Sequence, residues 1–250
     1  MIVIDSHGEP VNERIRQLTP DPATPDAVFE QIEKMAKTLP TFDRVSVGFP
    51  GVVMHGVAKN APNLGNELWA GVEIENTLGK LLERPVRVIN DADLQGYGVI
   101  RGHGVELVLT LGTGLGSALY VGGRLVPNLE LGHHPFRRAK TYEQRLGDKQ
   151  LKRIGPRRWN KRVLQAIRQL EPLFNYDHLY LGGGNVPHLR AKLPDNVSVF
   201  DNVQGMKGGL HLWQDVLPSA ASAPPVTAPS KHKSRAPNPS AAPSPTSNGA

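Results

Sequence analysis

An adjacent amide and carboxylate, Asn90 and Asp91, follow a short apolar run that ends at Ile89. Such a pair can hold vicinal hydroxyl groups, and the carboxylate can accept the proton of an attacking hydroxyl as a general base. The same two side chains can instead form an Asx turn that caps the following helix. The pattern alone leaves both interpretations open.

A glycine-rich segment, TLGTGLG at residues 110–116, can approach a phosphate closely. Alternate glycines expose backbone amides, and Thr113 adds a hydroxyl donor. The segment lacks the Gly-Lys-Ser/Thr of a Walker loop, and a strand rather than a helix is predicted to follow it, unlike in a dinucleotide-binding fingerprint. A hairpin turn between two strands is the alternative interpretation.

Three other groups are candidates for ligand contact. Glu130 and His133 could hold sugar hydroxyls or a metal, but the chain has no cysteine, and we expect no metal site made by the protein alone. The glycine triplet at 182–184 could lie beside a nucleotide or phosphate, or form a plain strand-to-helix turn. Asn63 could contact a ligand or cap a helix.

The elements that must position these groups alternate between strands and helices, which predicts an α/β fold. We predict strands at 2–4, 11–18, 44–49, 86–89, 107–111, 117–121 and 178–181. We predict helices at 26–39, 72–82, 95–100, 156–174 and 206–212. Ligands of α/β folds gather at the carboxyl ends of strands, where the Asn-Asp pair and the glycine segments lie.

Composition points to a globular protein in a reducing compartment. Of the 250 residues, 39% are hydrophobic and 21% are charged, and there is no cysteine to form a disulfide. Asp5 places a charge too early for a signal peptide, and no apolar run reaches the roughly 18 residues of a membrane span. We therefore expect a cytoplasmic protein.

Positive charge is concentrated in one part of the chain. Residues 137–168 contain twelve lysines and arginines against two acids, Glu143 and Asp148, within a chain whose net charge is +6. This window predicts a polyanionic partner such as nucleic acid, an acidic membrane or a phosphate polymer, although a solvated helix face is equally consistent. Residues 219–250 are rich in Ala, Pro and Ser, which predicts a disordered tail.

The motifs VGFPG, APNLG, INDAD, LTLGTGLG, ELGHHPF and NYDHLYLGGGN occur in this order. In combination they resemble the ROK family of sugar kinases, and within it the polyphosphate glucokinases, from about Ile2 to Trp213. The resemblance implies an actin-like ATPase (ribonuclease H-like) fold of two lobes, which we place at 1–103 and 104–218. It also implies a homodimer.

The resemblance further implies phosphoryl transfer from polyphosphate or ATP to the 6-hydroxyl of glucose, with Mg²⁺. Asp91 then matches the general base. The positions that match sugar-binding residues are Asn63, Asn90, Glu130 and His133. The positions that match phosphate- or nucleotide-binding segments are Gly112, Thr113, Gly114, Gly182, Gly183 and Gly184. The basic window adds Arg157, Arg158 and Lys161 as expected polyphosphate contacts.

The chain departs from the family pattern at two motifs. The zinc-binding cysteines found in many ROK members are absent after His133, so we expect no zinc. The opening Asp-x-Gly-Gly-Thr loop is also absent, and Met1 to Gly8 resembles the family's second strand, so the first strand of the N-terminal lobe is predicted to be missing. Either the true start lies upstream of Met1, or the chain is truncated and weak or inactive as a kinase.

Two other functions remain open at this point. One is a non-catalytic remnant of a ROK kinase that binds sugar or polyanion, and the other is an ATP-dependent kinase for another hexose. Sequence-specific DNA binding is not expected, because no helix-turn-helix precedes the first predicted strand.

Overall fold

The computed structural model describes residues 1–214, so the predicted tail at 219–250 lies outside the described part of the chain. Within residues 1–214, no helix is both long and apolar enough to cross a membrane. The described residues form a mixed α/β structure, and its two larger cores each pack around one sheet.

The first sheet pairs two parallel strands, β1 (Val45–Phe49) and β4 (Val86–Asn90), with Phe49 opposite Asn90. A small antiparallel hairpin, β2 (Val53–Met54) and β3 (Val57–Ala58), follows β1. Three helices accompany these strands: α1 (Pro25–Ala36), α2 (Asn66–Trp69) and α3 (Ile74–Leu82). Their buried residues, including Phe29, Trp69 and Leu78, form one core.

The second sheet has five strands in the order β11-β10-β5-β6-β7. The strands are β5 (Val105–Leu111), β6 (Leu115–Val121), β7 (Arg124–Val126), β10 (His178–Gly182) and β11 (Val197–Val199). β10 runs parallel to β5 and β11, whereas β6 is antiparallel to both of its neighbours. The turn between β5 and β6 is the predicted glycine-rich segment.

A long helix, α6 (Asp148–Phe174), contributes its apolar stripe to the larger core. Trp159, Val163, Ile167 and Leu170 are buried along this stripe, as the periodicity predicts. The helix begins eight residues before the predicted start at Pro156, because two helical pieces meet at a kink at Gly155 (φ 76°, ψ 160°). This left-handed φ suits glycine, which has no Cβ.

The remaining short elements surround the second sheet. α4 (Asp91–Tyr97) contacts β6, and it also contacts α7 (Asn202–Met206) and α8 (Gly208–Gln214). Between β7 and α6 lie a 3-10 helix (Leu131–His133), a hairpin of β8 (Pro135–Arg137) and β9 (Lys140–Thr141), and α5 (Tyr142–Leu146). A second 3-10 helix, Val186–His188, follows β10.

Four further sequence predictions differ from the structure in bounds or in type. The helix predicted at 95–100 begins at Asp91, because Asn90 caps it. The helix predicted at 206–212 is two helices that meet at Lys207. The strands predicted at 2–4 and 11–18 are an irregular antiparallel ribbon with hydrogen bonds from Val11 N to Val3 O (2.8 Å) and from Ile15 N to Met1 O (2.8 Å). Pro10, which has no N–H, lies in that ribbon.

Candidate active site

Asn90 forms the N-cap of α4, directly at the end of β4. Its side-chain oxygen accepts hydrogen bonds from Ala92 N (2.8 Å) and Asp93 N (3.3 Å), and its side-chain nitrogen donates to Gly51 O (3.1 Å). The Asx-cap interpretation of the Asn-Asp pair is therefore correct for Asn90. One amide hydrogen of this side chain is left for a ligand.

Asp91 is the first residue of α4 and lines the pocket described below. Burial raises the pKa of Asp91 to about 6, and repulsion from Glu130 adds to the rise, while a hydrogen bond from the Ala92 backbone opposes it. A carboxylate with a pKa near 6 is ionised at neutral pH and is a stronger base than an exposed aspartate.

Asp93 lies beneath this junction and is only 2% exposed. Burial, then repulsion from Glu130 and Asp91, raises its pKa to about 7, and a hydrogen bond from the Asn128 backbone opposes the rise. Its carbonyl accepts a hydrogen bond from the Tyr120 hydroxyl of β6. Asp93 therefore links α4 both to the second sheet and to the loop that precedes Glu130.

The turn between β5 and β6 faces α4. Gly112 N donates to Gly114 O (3.1 Å), and Gly112 O accepts from Asp148 N (2.8 Å) and from Asn185 Nδ2 (2.9 Å). A side chain at Gly116 would meet Ala92 at 2.9 Å, so glycine there permits the close approach of β6 to α4. The turn is thus held by its internal hydrogen bond, by Asp148 and Asn185, and by its contact with α4. Thr113 at its tip is exposed.

Glu130 and His133 flank the first 3-10 helix, and their side chains form an ion pair of 3.4 Å between Oε2 and Nε2. Burial raises the pKa of Glu130. The nearby His133 lowers it, and repulsion from Glu143 adds to the rise. The buried Ser117 fixes this segment, because its hydroxyl donates to Leu129 O (2.6 Å) and accepts from Leu131 N (3.1 Å). Ser117 therefore holds both neighbours of Glu130.

The glycine triplet docks on the end of β5. Gly183 has a left-handed φ of 92°, and a side chain there would meet Leu111 O at 2.5 Å. Asn185 N donates to the same Leu111 carbonyl (2.9 Å). The close approach at Gly183 requires the bare backbone that glycine provides.

These elements enclose one pocket with a volume of about 390 Å³. Ten of the residues predicted from the sequence line it: Asn63, Asn90, Asp91, Gly112, Thr113, Gly114, Glu130, His133, Gly183 and Gly184. Gly182 does not line it and packs against the Phe200 ring instead. Arg157, Arg158 and Lys161 also lie outside its lining, exposed on α6.

Sequence reasoning missed several residues of this site. Gln95, Ser117 and Glu143 line the pocket, and Asp93 lies beneath it. The nearby Asn185 donates hydrogen bonds to the carbonyls of Leu111 and Gly112, where β5 ends and the turn begins. Asp93 and Asn185 fall inside quoted motifs and could have been chosen as polar residues at strand ends, whereas nothing in the local sequence marks Ser117 or Glu143.

The pocket suits a cation that is shared with a phosphate ligand. Residues 1–214 contain no group of three or more His, Asp or Glu side chains that could hold a metal by themselves. Three carboxylates, Asp91, Glu130 and Glu143, nevertheless line the pocket. Mg²⁺ in phosphoryl-transfer sites is commonly held by one or two carboxylates together with substrate phosphates, so these residues fit such an ion.

Comparison with known proteins gives consistent matches. A model described as the ROK family matches residues 1–142. Polyphosphate glucokinase from Mycobacterium tuberculosis is 33% identical over 217 residues, covering 80% of this chain and 81% of the relative. The Mycobacterium leprae polyphosphate glucokinase is 32% identical over the same share of this chain and 66% of its own length.

Solved structures agree. The inorganic polyphosphate/ATP-glucomannokinase from Arthrobacter sp. strain KM matches with a TM-score of 0.75 and 31% identity, over 86% of this chain and 94% of that one. A ROK family glucokinase from Streptomyces griseus, solved with glucose and AMPPNP, matches with a TM-score of 0.67 and 19% identity, over 86% and 95%. The predicted actin-like α/β fold is confirmed by these neighbours.

Proposed function

Because this chain belongs to the ROK family, we propose that it is a sugar kinase that transfers a phosphoryl group from polyphosphate or ATP to the 6-hydroxyl of glucose, giving glucose 6-phosphate. The observation that carries the proposal is one pocket in which Asp91 and the β5–β6 glycine turn lie on the same lining. A base for a hydroxyl and a cradle for a phosphate are the two parts that this reaction needs. The residues of this pocket come from both proposed lobes, 1–103 and 104–218.

Asp91 is the proposed general base. Its carboxylate accepts the proton of the 6-hydroxyl while the hydroxyl oxygen attacks the terminal phosphorus of the donor. The bond from that phosphorus to the bridging oxygen breaks, and the remaining donor phosphate leaves with the electron pair. The raised pKa of Asp91, about 6, supports this role because the group is basic yet ionised at neutral pH.

The glycine turn is the proposed phosphate cradle. The Gly112 N–H already donates to Gly114 O, so the cradle would consist of the Thr113 and Gly114 backbone together with the hydroxyl of Thr113, which is exposed at the tip. Gly183 and Gly184 line the same pocket and offer further backbone to the more distant donor phosphates. Preorganised amides stabilise the charge of the transferring phosphoryl group without rearrangement.

Four polar side chains are the proposed glucose contacts: Asn63, Asn90, Glu130 and His133. Asn90 can offer only its remaining amide hydrogen, since capping and the Gly51 contact use the rest. The Glu130–His133 pair offers an acceptor whose position Ser117 fixes through the backbone on either side. Asn63 is exposed at the rim and is the least restrained of the four.

A Mg²⁺ bound with the donor would offset negative charge on the phosphates. Glu143 is the pocket carboxylate that has neither the base nor the sugar role, and it could contribute to holding the ion. We also propose that the exposed Arg157, Arg158 and Lys161 on α6 contact a polyphosphate donor, and that the protein is a homodimer, which light scattering would test.

The test is glucose 6-phosphate formation by the 250-residue chain with Mg²⁺ and glucose, offering polyphosphate and ATP in separate reactions. The proposal expects turnover with at least one donor, and the preferred donor identifies the subclass. Glucose binding without turnover on either donor would contradict it and favour a non-catalytic binding protein. Preference for another hexose over glucose would contradict the assigned acceptor.

A further inference from the structure

Five arginines from separate parts of the chain gather around the α6 kink. This arginine cluster comprises Arg137 of β8, Arg138 after it, Arg145 of α5, Arg153 before the kink and Arg162 after it. Arg138, Arg145, Arg137 and Arg153 each repel the Arg162 guanidinium and, after burial, lower its pKa. None of the five lines the candidate active-site pocket.

The cluster has no carboxylate partner within residues 1–214. No ion pair involves any of the five, since the nearby Asp148 pairs with Lys152 instead. Their hydrogen bonds go to neutral groups: Arg137 Nη1 to Gln165 Oε1 (3.3 Å), Arg145 Nη2 to Arg137 O (3.5 Å) and Arg153 Nη2 to Gln150 Oε1 (2.9 Å). Positive charge is therefore concentrated here without compensation from the described chain.

Buried donors without acceptors concentrate at the same place. In the described chain, five buried side-chain atoms lack a hydrogen-bond partner, and three of them are Arg145 Nε, Gln150 Nε2 and Arg162 Nη1. Gln150 is 7% exposed and is joined to the cluster by its bond from Arg153. Buried donors are normally satisfied. Unpaired donors beside uncompensated positive charge suit a ligand that only accepts hydrogen bonds and carries negative charge.

The backbone presents Arg138, one member of the cluster, at the tip of a tight hairpin. Arg138 and Ala139 both have left-handed φ values, 49° and 53°, in the two-residue turn between β8 and β9. Two-residue hairpin turns commonly have such values at both central residues. The hairpin is anchored by a hydrogen bond from Tyr142 N to His134 O (3.1 Å), so the turn presents Arg138 on a fixed support.

We infer that the arginine cluster and the Gln150 amide form a second anion site that binds a phosphate group, apart from the pocket where Asp91 lies. Guanidinium groups bind phosphate oxygens through paired N–H donors, and phosphate supplies only acceptors at several oxygens. The phosphate can be free or one unit of a longer chain. The site stands on its own contacts, whether or not the protein phosphorylates glucose.

The test measures binding of orthophosphate and of tripolyphosphate to the full chain without glucose, at constant ionic strength. The variants are Arg138→Gln, at an exposed position, and the double variant Arg145→Gln/Arg162→Gln. Arg16→Gln makes the same charge change at an exposed position outside the cluster and serves as the control. The melting temperature of each protein is recorded with and without anion.

We expect wild type and Arg16→Gln to bind one more anion per chain than the double variant, and Arg138→Gln to bind it several-fold more weakly. Anion at about one hundred times Kd should raise the wild-type Tm by roughly 5 °C or more. Without anion the double variant should melt no lower than wild type, because repulsion is relieved. If the double variant loses binding of orthophosphate, the site holds a single phosphate group. If it loses binding of tripolyphosphate alone, the site holds a longer phosphate chain. Either result supports the inference.

Equal anion binding by Arg16→Gln, Arg138→Gln and the double variant would overturn the inference. If the double variant does not fold, Arg138→Gln decides alone. Glucose affinity is measured in parallel and should be unchanged in all variants. A failure of the proposed kinase activity would therefore be distinguishable from a failure of this anion site.

Discussion

At the scale of single residues, the site is governed by carboxyl groups that are buried close enough to repel one another. Asp91 and Asp93 have pKa values raised to about 6 and about 7, and Glu130 repels both. Only Asp91 lines the pocket, whereas Asp93 is 2% exposed and holds the Asn128 backbone. The two aspartates are therefore placed differently, Asp91 on the pocket lining and Asp93 within the scaffold beneath it.

Asp93 should make the folded protein less stable as pH rises. Its pKa is raised in the folded state, so between about pH 4 and pH 7 the folded state binds a proton that the unfolded state has released. We predict that Asp93→Asn lacks this pH dependence. Its free energy of unfolding should therefore increase relative to that of wild type as pH rises, by up to about 4 kcal/mol. Urea unfolding across this range measures the difference.

The control for this prediction is Asp177→Asn, at an exposed carboxylate that accepts a hydrogen bond from Val105 N (2.7 Å). The free energy of unfolding of Asp177→Asn should not increase relative to that of wild type as pH rises. A constant difference between Asp93→Asn and wild type across the whole range would contradict the burial argument.

The sequence predicts only part of the site at this scale. Asn90 and Asp91 stand out because an amide and a carboxylate are adjacent after an apolar run. The chemistry of Asp93 depends on its burial against β6 and on the Asn128 backbone, which are contacts from distant sequence. The role of Ser117 has the same origin, since a serine inside a strand carries no local signal.

At the scale of elements, two junctions form the pocket: the start of α4 and the β5–β6 turn. The α4 start was predicted four residues too late, although Asn90 followed by two acids, Asp91 and Asp93, is a good helix N-terminus. The hairpin interpretation of 110–116 is correct, and the turn also lines the pocket, so the hairpin leaves the predicted phosphate contact open.

Ser117→Ala should loosen the segment that carries Glu130. The substitution leaves Leu129 O and Leu131 N without their partner, which costs about 1–3 kcal/mol of stability when such groups stay buried. We predict a rise of about tenfold in the KM for glucose with a smaller change in kcat, because Glu130 is displaced while Asp91 is not. Steady-state kinetics with varied glucose measures both.

Ser198→Ala is the matched control, since its hydroxyl bonds His178 Nε2 (2.8 Å) and lies outside the pocket lining. It should leave the KM for glucose unchanged. An unchanged KM in Ser117→Ala as well would remove Ser117 from its positioning role.

At the scale of the whole molecule, charge is distributed unevenly. The window 137–168 carries twelve basic residues against two acids, and its exposed members include Arg157, Arg158 and Lys161. The number of charges in this window can be predicted from the sequence. The sequence does not predict that they divide in space into the set on α6 and the arginine cluster around Gly155, because β8, α5 and both parts of α6 contribute to the cluster.

Charge reversal of Arg157, Arg158 and Lys161 to glutamate should raise the KM for polyphosphate by about tenfold or more and reduce its salt dependence. The KM values for glucose and ATP should change little. Reversal of the exposed Arg14, Arg16 and Lys34 gives the same change in net charge elsewhere and should leave the KM for polyphosphate near that of wild type. Equal effects of the two triple variants would indicate a nonspecific charge effect and contradict the proposed contacts.

The central claim is that Asp91 is the base of a phosphoryl transfer to glucose, and Asp91→Asn tests it most directly. The measurement is the rate of glucose 6-phosphate formation by wild type and Asp91→Asn at saturating donor, with glucose affinity determined for both. We predict that Asp91→Asn binds glucose like wild type and loses about 10²–10⁴-fold in kcat, and that wild-type kcat falls as pH drops through about 6, where Asp91 gains a proton. Near-normal turnover by Asp91→Asn would contradict the account.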